Sequence, residues 1–385
     1  MKILIAADSF KDALDASSVC RAIERGLQLA ASLPKEAGFG ASTVATRIFP
    51  LADGGEGLSD ILNFHLGLTQ IAVEVCDPLF RKTKALYNLS ADGKTAFIEM
   101  AQAAGLQLLK QEERNPLKTT TFGVGEMIND ALKNGAKRIV LGIGGSATND
   151  LGIGMATALG WQFLDKNKDK LLGIGENLTK IETMIPPQYS TLFEATFEVM
   201  CDVQNPLLGA NGAANVYARQ KGASDAAIET LEVGAFNFWK RAKASPKVET
   251  EGAGAAGGLG FGALFFLNAT IKRGIDAVMD LTNFDEQVAW ADVIFTGEGR
   301  LDSQTARGKL IAGIVARARK KSVIALCGAV EIPPQYINDL ELKAAFSIAQ
   351  KPCSLQEALV STAENLEKTA FNIARILLTH ENTCV

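Results

Sequence analysis

The sequence contains only two histidines, His65 and His380, in 385 residues. A histidine-based triad or a zinc site built on imidazoles is therefore not expected. Its six cysteines (Cys20, Cys76, Cys201, Cys327, Cys353 and Cys384) are scattered, with no Cys-x-x-Cys pair and no zinc-ligand spacing. That usage fits reduced thiols in a cytoplasmic protein. Long apolar runs are also missing. The longest, such as ALFFL at 263–267, are far too short to span a bilayer. Near the N-terminus, Asp8 and Lys11 interrupt the apolar stretch before a signal segment could form. Nor is there an excess of basic charge. With 39 basic against 43 acidic residues, general binding to nucleic acid or to a membrane surface is not expected. A local basic site for a small anion is not excluded, because a pocket's field depends on placement.

What the chain does have is glycine, 36 residues of it, with 47% hydrophobic and 21% charged residues. This composition and length predict a globular α/β protein of two domains. KILIAA (2–7) reads as a buried parallel strand, and the amphipathic helix after it has Ser17 or Ser18 as its expected N-cap. TVATRIFPL is a second strand and LSDILNFHLG a short helix. From about residue 70 the pattern changes. TQIAVEV, RKTKALYNL and KTAFIEM carry β-formers separated by turn residues, which predicts a mixed sheet. A helix around 120–134 then leads into the strand KRIVLGIGG, and 165–190 reads as irregular surface loop. Near residue 290 the first pattern returns: ADVIFTGEG as strand then glycine turn, an amphipathic helix, and the strand SVIALCGAV. The expected architecture is a doubly wound, Rossmann/flavodoxin-like parallel-sheet domain from both chain ends, 1–71 with 271–385. An inserted α/β domain, 72–270, carries the mixed sheet, and the active site is expected in the cleft between them.

Polar clusters recur at the expected carboxyl ends of strands, where open α/β sheets place ligands. They are Asp8, Ser9 and Lys11; Asp53 and Glu56; Ser146, Thr148, Asn149 and Asp150 after Gly144 and Gly145; Asp202 and Asn205; and Glu298, Arg300 and Asp302. Each has a plainer reading. Asp8 and Ser9 could be helix caps, Asp53 and Asp202 could close turns, and Glu298 could pair with Arg300. The glycines of GAGAAGGLGFG (252–262) could serve close helix packing alone. Together, glycine turns with carboxylates and a few bases point to metal-assisted phosphoryl transfer. Glycine lets backbone N–H groups approach phosphate oxygens, Mg²⁺ bridges phosphate and carboxylate, and Lys11 and Arg300 offset transferring charge. Two decoys fall away. GAGAAG matches a dinucleotide pattern but follows a polar run rather than a strand, and GRLDSQTARGKL has neither the spacing nor the hydroxyl of a P-loop.

With these residues in place, the chain resembles the type-1 glycerate kinases. The likeness runs from Met1 to about Val330, through KILIAADSFK, FPLADGGEG, EERNPLKTTTFGVGE, LGIGGSATND, CDVQNPLLG, GAGAAGGLG and FTGEGRLDSQT. Asp12 and Leu151 stand where glycine is common in that family. The resemblance implies a cytoplasmic enzyme that uses ATP and Mg²⁺ to phosphorylate D-glycerate, giving 2-phosphoglycerate. It leaves open the 3-phosphate product, another hydroxy acid, a non-catalytic glycerate sensor and assembly as a homodimer. The roles expected on this basis place Gly144, Gly145, Ser146, Thr148 and Asn149 on the nucleotide phosphates, and Lys11 on the moving phosphoryl group. Arg300 would bind phosphate or the glycerate carboxylate, and Ser9 and Asp302 would bind substrate. Asp53, Glu56, Asp202 and Glu298 are the expected Mg²⁺ ligands, with Asp8 or Asp202 as the base.

Overall fold

The structure, a computed structural model, describes residues 1–33, 44–52, 58–188, 191–243, 245–302 and 310–380. The chain divides into two compact units, Met1–His65 with Ile275–Val385, and Leu66–Gly274. Among the described residues the first holds five strands: β1 (Lys2–Ile5), β2 (Ala45–Ile48), β11 (Val293–Leu301), β12 (Ser322–Val330) and β13 (Ala344–Ser347). The second holds β3 (Thr69–Cys76), β4 (Lys82–Leu89), β5 (Thr95–Glu99), β6 (Arg138–Gly142), β9 (Thr196–Met200) and β10 (Thr270–Lys272) in one sheet. A separate pair, β7 (Gln162–Leu164) and β8 (Thr183–Ile185), lies within 165–190 and its flank, where only loop was expected.

All neighbours in the first unit's sheet are parallel, in the order β13-β12-β11-β1-β2. Apolar residues on both faces are buried: Ile3, Ile5 and Phe295 on one, Leu4, Ile294 and Val323 on the other. A parallel sheet covered on both sides needs such continuous apolar strands. From β1 the chain winds outward to β2, and from β11 it winds the other way through β12 and β13. The order therefore reverses between β1 and β11, which is where ligands collect in doubly wound sheets. The second unit's sheet, β10-β9-β6-β5-β4-β3, is parallel from β10 to β5 and antiparallel at the β4 and β3 edge. The mixed α/β class is as the sequence suggests.

Two local expectations need correcting. Asp15, not Ser17 or Ser18, caps the first helix (Ala16–Ser32). Its carboxylate accepts the Ser18 N–H, and both serines lie inside the helix. The glycine turn expected at TGEG is strand, because β11 runs on to Leu301 in register with β12. Gly297 permits this: a Cβ there would sit 2.3 Å from the Leu326 carbonyl oxygen of the neighbouring strand. Asp12 and Leu151 have φ of 63° and 52°, the left-handed conformation that glycine adopts without steric cost.

In the second unit the loop after β6 is organised by one buried carboxylate. Asp150 Oδ2 accepts the Thr121 N–H at 2.8 Å, the Thr121 hydroxyl at 2.8 Å and the Gly154 N–H at 3.2 Å. Its Oδ1 accepts the Gly152 N–H at 3.1 Å. Thr121 begins the helix Phe122–Lys133 and Gly152 the helix Ile153–Ala158, so one side chain fixes both helix starts. Anionic acceptors are favoured at such positions by the free N–H groups and the helix dipole. An asparagine amide would present N–H groups to a donor-only surrounding. Asp150→Asn should therefore cost about 2–4 kcal/mol, read as a shift in the urea unfolding midpoint with unchanged slope.

Candidate active site

Beyond β1 the chain runs Ala6-Ala7-Asp8, and the Asp8 N–H donates to the Gly297 carbonyl of β11 at 2.9 Å. This bond places Asp8 beside Glu298 at the switch point. The two residues open on a cavity of about 1410 Å³, also lined by Ser9, Lys11, Arg300 and Glu331. The Ser9 N–H donates to Asp8 Oδ1 at 2.7 Å. Glu298 is 8% exposed. Lys11 is exposed and pairs with none of the described carboxylates. Arg300 is 63% exposed and its guanidinium pairs with Glu331 at 2.7 Å, which holds its pKa above the usual arginine value. Asp302 lies just beyond β11 and is not among the residues lining the cavity. Among the described residues six carboxylates (Asp8, Asp12, Asp15, Asp60, Glu298 and Glu331) line the cavity against Lys11 and Arg300. So acidic a wall repels phosphate unless a divalent cation lies between them.

Asp53 and Glu56 lie outside the described residues. Among the described residues no group of three or more histidine, cysteine, aspartate or glutamate side chains could hold a metal. Magnesium does not need one, since it takes one or two carboxylates and completes its shell with phosphate oxygens and water. The hard oxygens of Asp8 and Glu298 fit that demand.

The remaining expected residues belong to the second unit. Gly142 of β6 and Met200 of β9 are register partners, so Gly144 and Asp202 each lie two residues beyond the same rung. Asp202 is exposed, and its Oδ1 accepts the Gly274 N–H at 2.8 Å, at the start of the helix Gly274–Leu281. Gly144 and Gly145 are exposed, Ser146 is half-buried, and Thr148 and Asn149 are buried. The turn is held from several sides. The Leu106 N–H donates to the Gly145 carbonyl at 2.9 Å, and the Thr119 hydroxyl to the Ala147 carbonyl at 3.0 Å. The glycine-rich segment packs behind it: a Cβ on Gly257, at φ 67°, would sit 2.0 Å from the Thr148 carbonyl oxygen. Those glycines thus serve close packing, and the packing is against the turn itself.

Sequence reasoning missed Lys221. It is 2% exposed, and its Nζ donates to Ser146 Oγ at 2.6 Å and to the Thr148 carbonyl at 2.8 Å. Burial drives its pKa down to about 7, while the nearby Asp150 charge works in the opposite direction. Asp150 is itself raised by burial, against the four hydrogen bonds that favour its charged form. Nothing in the local sequence RQKG marks this lysine, because lysine in a polar helical stretch ordinarily reads as solvent-exposed.

Residues 3–378 match the model of the glycerate kinase family. A glycerate kinase of Bacillus cereus is 42% identical over 382 residues, covering 98% of each chain. A glycerate 2-kinase of Escherichia coli K12 is 39% identical over 386 residues, again covering 98% of each. A crystal structure from Salmonella typhimurium LT2, described as a glycerate kinase 2, superposes with a TM-score of 0.84 at 37% identity and covers 99% of both chains. These likenesses define a phosphotransferase, with ATP as the implied cosubstrate. The chain belongs to the glycerate kinase family. No helix among the described residues is long and apolar enough to cross a membrane.

The buried lysine gives a stability prediction. In the unfolded chain Lys221 keeps its proton up to about pH 10.5, whereas in the folded chain it releases it near 7. Between those values unfolding takes up a proton, so raising the pH through this window stabilises the fold and below it the full cost remains. Relative to wild type, Lys221→Met should gain roughly 1.4 kcal/mol per pH unit as the pH is lowered from 10 to 7, measured by urea unfolding. A constant difference across that range would disprove the burial of a titrating amine.

Proposed function

We propose that the protein transfers the γ-phosphoryl group of ATP to D-glycerate, giving 2-phosphoglycerate and ADP. The observation that carries this reading is the acidic cavity at the β1–β11 switch point, with Asp8, Lys11, Glu298 and Arg300 around it. The glycerate 2-kinase relative supports the 2-phosphate product. The setting is cytoplasmic organic-acid breakdown, where ATP is available.

In this reading the backbone N–H groups of Gly144 and Gly145, with Ser146, hold nucleotide phosphate oxygens, and Thr148 and Asn149 support them from below. Ser9 and Asp302 hydrogen-bond the glycerate hydroxyls. Arg300, once drawn from Glu331, binds the glycerate carboxylate, for which a planar fork of donors suits two oxygens. Asp8 accepts the proton leaving the attacking hydroxyl, and Lys11 places positive charge beside the moving phosphoryl group. In the first unit Glu298 would hold Mg²⁺, joined by Asp53 and Glu56 from outside the described residues, and in the second unit Asp202 offers a carboxylate of the same ligand chemistry. A bound Mg²⁺ would supply charge neutralisation between phosphate and carboxylate oxygens. Bringing the two anions together and offsetting their charge is most of what phosphoryl transfer asks of a protein.

Purified protein with ATP, Mg²⁺ and D-glycerate should give a new phosphomonoester signal by ³¹P NMR, absent without glycerate. Its coupling to a single proton marks the 2-phosphate, and coupling to a methylene would mark the 3-phosphate. Unchanged ATP from folded, glycerate-binding protein would replace the kinase with a sensor. Lys11→Ala should lower kcat/KM at least about a hundredfold, roughly 2.7 kcal/mol of transition-state stabilisation. Near-normal turnover in that variant would remove Lys11 from the mechanism.

A further inference from the structure

Ser146 Oγ and Lys221 Nζ are 2.6 Å apart. An ammonium carries three donors and no lone pair, so against a charged lysine the seryl oxygen can only accept. Its own proton must then point away from Lys221. Against a neutral amine the bond can reverse, with the seryl proton turned inward. The charge on Lys221 therefore decides whether Ser146 has a donor to offer on its open side.

The same turn holds buried polar groups without partners. Thr148 Oγ and Asn149 Nδ2 are buried without a hydrogen-bond partner, and Lys221 Nζ uses two of its three donor positions. Unused buried donors are costly, and three of them within one turn and its support call for acceptor oxygens. Gly144 and Gly145 leave the outer face of that turn exposed, while Lys221 lies beneath it.

We propose that Lys221 is the positioning residue of the glycine turn, fixing Ser146 from below so that its hydroxyl donates outward to a nucleotide phosphate oxygen. This rests on the reading of the turn as a phosphate site. Lys221 acts through Ser146 and the Thr148 carbonyl and does not itself touch the nucleotide. Among the described residues the charged groups around it are few. Asp150 favours its ammonium form, and Arg219 in the preceding helical turn is paired with Asp225. Arg114 belongs to the segment whose carbonyl packs against Gly222. Because burial brings the amine's pKa down to about 7, an arriving phosphate favours its ammonium form, with the proton taken up from solvent, and the seryl hydroxyl is then set to donate outward.

The test is steady-state kinetics with MgATP and D-glycerate between pH 6 and 9, on wild type, Lys221→Met, Ser146→Ala and the double variant. Each single change should raise the KM for ATP about tenfold or more and leave the KM for glycerate within about twofold. The double variant should be no worse than Lys221→Met alone, because both changes break one chain of bonds. In wild type the KM for ATP should rise with pH relative to both single variants. Additive losses, or a fall in kcat with both KM values moved alike, would reduce Lys221 to a structural residue. Gly144→Val separates the proposal from its premise, since a Cβ there meets no atom within 4 Å and the fold should tolerate it. If Gly144→Val weakens ATP while the Lys221 and Ser146 variants do not, the turn stands and the role of Lys221 falls. If Gly144→Val also leaves ATP unaffected, the phosphate reading falls and the proposal with it. Calorimetric titration of MgATP into the same variants carries the comparison without turnover, and absence of binding to wild type overturns the proposal.

Discussion

The carboxylate of Asp150 is the interaction on which the second unit's site depends. Buried as it is, its charge is offset by four donors that converge on it, from Thr121, Gly152 and Gly154. Those donors begin two helices, so the carboxylate settles where the helices start relative to β6. The turn between β6 and Asp150 then has fixed ends, and Gly144 and Gly145 are left with exposed backbone at its crest. The KTTTFG segment has its explanation here. Its threonines bond the Ala147 carbonyl, the Gly173 carbonyl and Asp150, tying the turn to the neighbouring helix.

The two units solve opposite electrostatic problems. In the first, acids outnumber bases around the cavity, and the single exposed lysine among the described lining residues is Lys11. In the second, buried polar groups at the turn lack partners and the positive charge is hidden under the turn. An acid-lined wall suits a cation-bridged anion, and a donor-lined turn suits a bare one.

Much of this was legible in the sequence, for identifiable reasons. β1, β12 and the first half of β11 are continuous apolar runs, and a fully covered parallel strand cannot be written otherwise. The glycine and hydroxyl residues of LGIGGSATND announced bare backbone at a strand end. Other features were invisible because they arise between segments far apart in sequence. Whether Gly297 turns or continues as strand depends on how closely β12 approaches, and the pattern TGEG favoured a turn. Ser17 and Ser18 looked like caps by type, yet Asp15 reaches the open N–H groups first. Lys221 could not be found at all, since its burial comes from the turn folding over it. Asp12 and Leu151 both adopt a left-handed backbone conformation, which their residue types do not announce.

The connectivity of the first unit bears on how the chain assembles. β1 lies between β2 and β11, and the Lys2 N–H donates to Asp292, 290 positions further on. Only β2, one of its two neighbours, is available while the rest of the chain is still being synthesised. The second unit, by contrast, is contiguous from Leu66 to Gly274 and holds every strand partner it needs. Long-range pairing is slow because a large loop must close before any contact rewards it, and domains fold as units during synthesis. The second unit is therefore able to form on the ribosome while β1 and β2 wait.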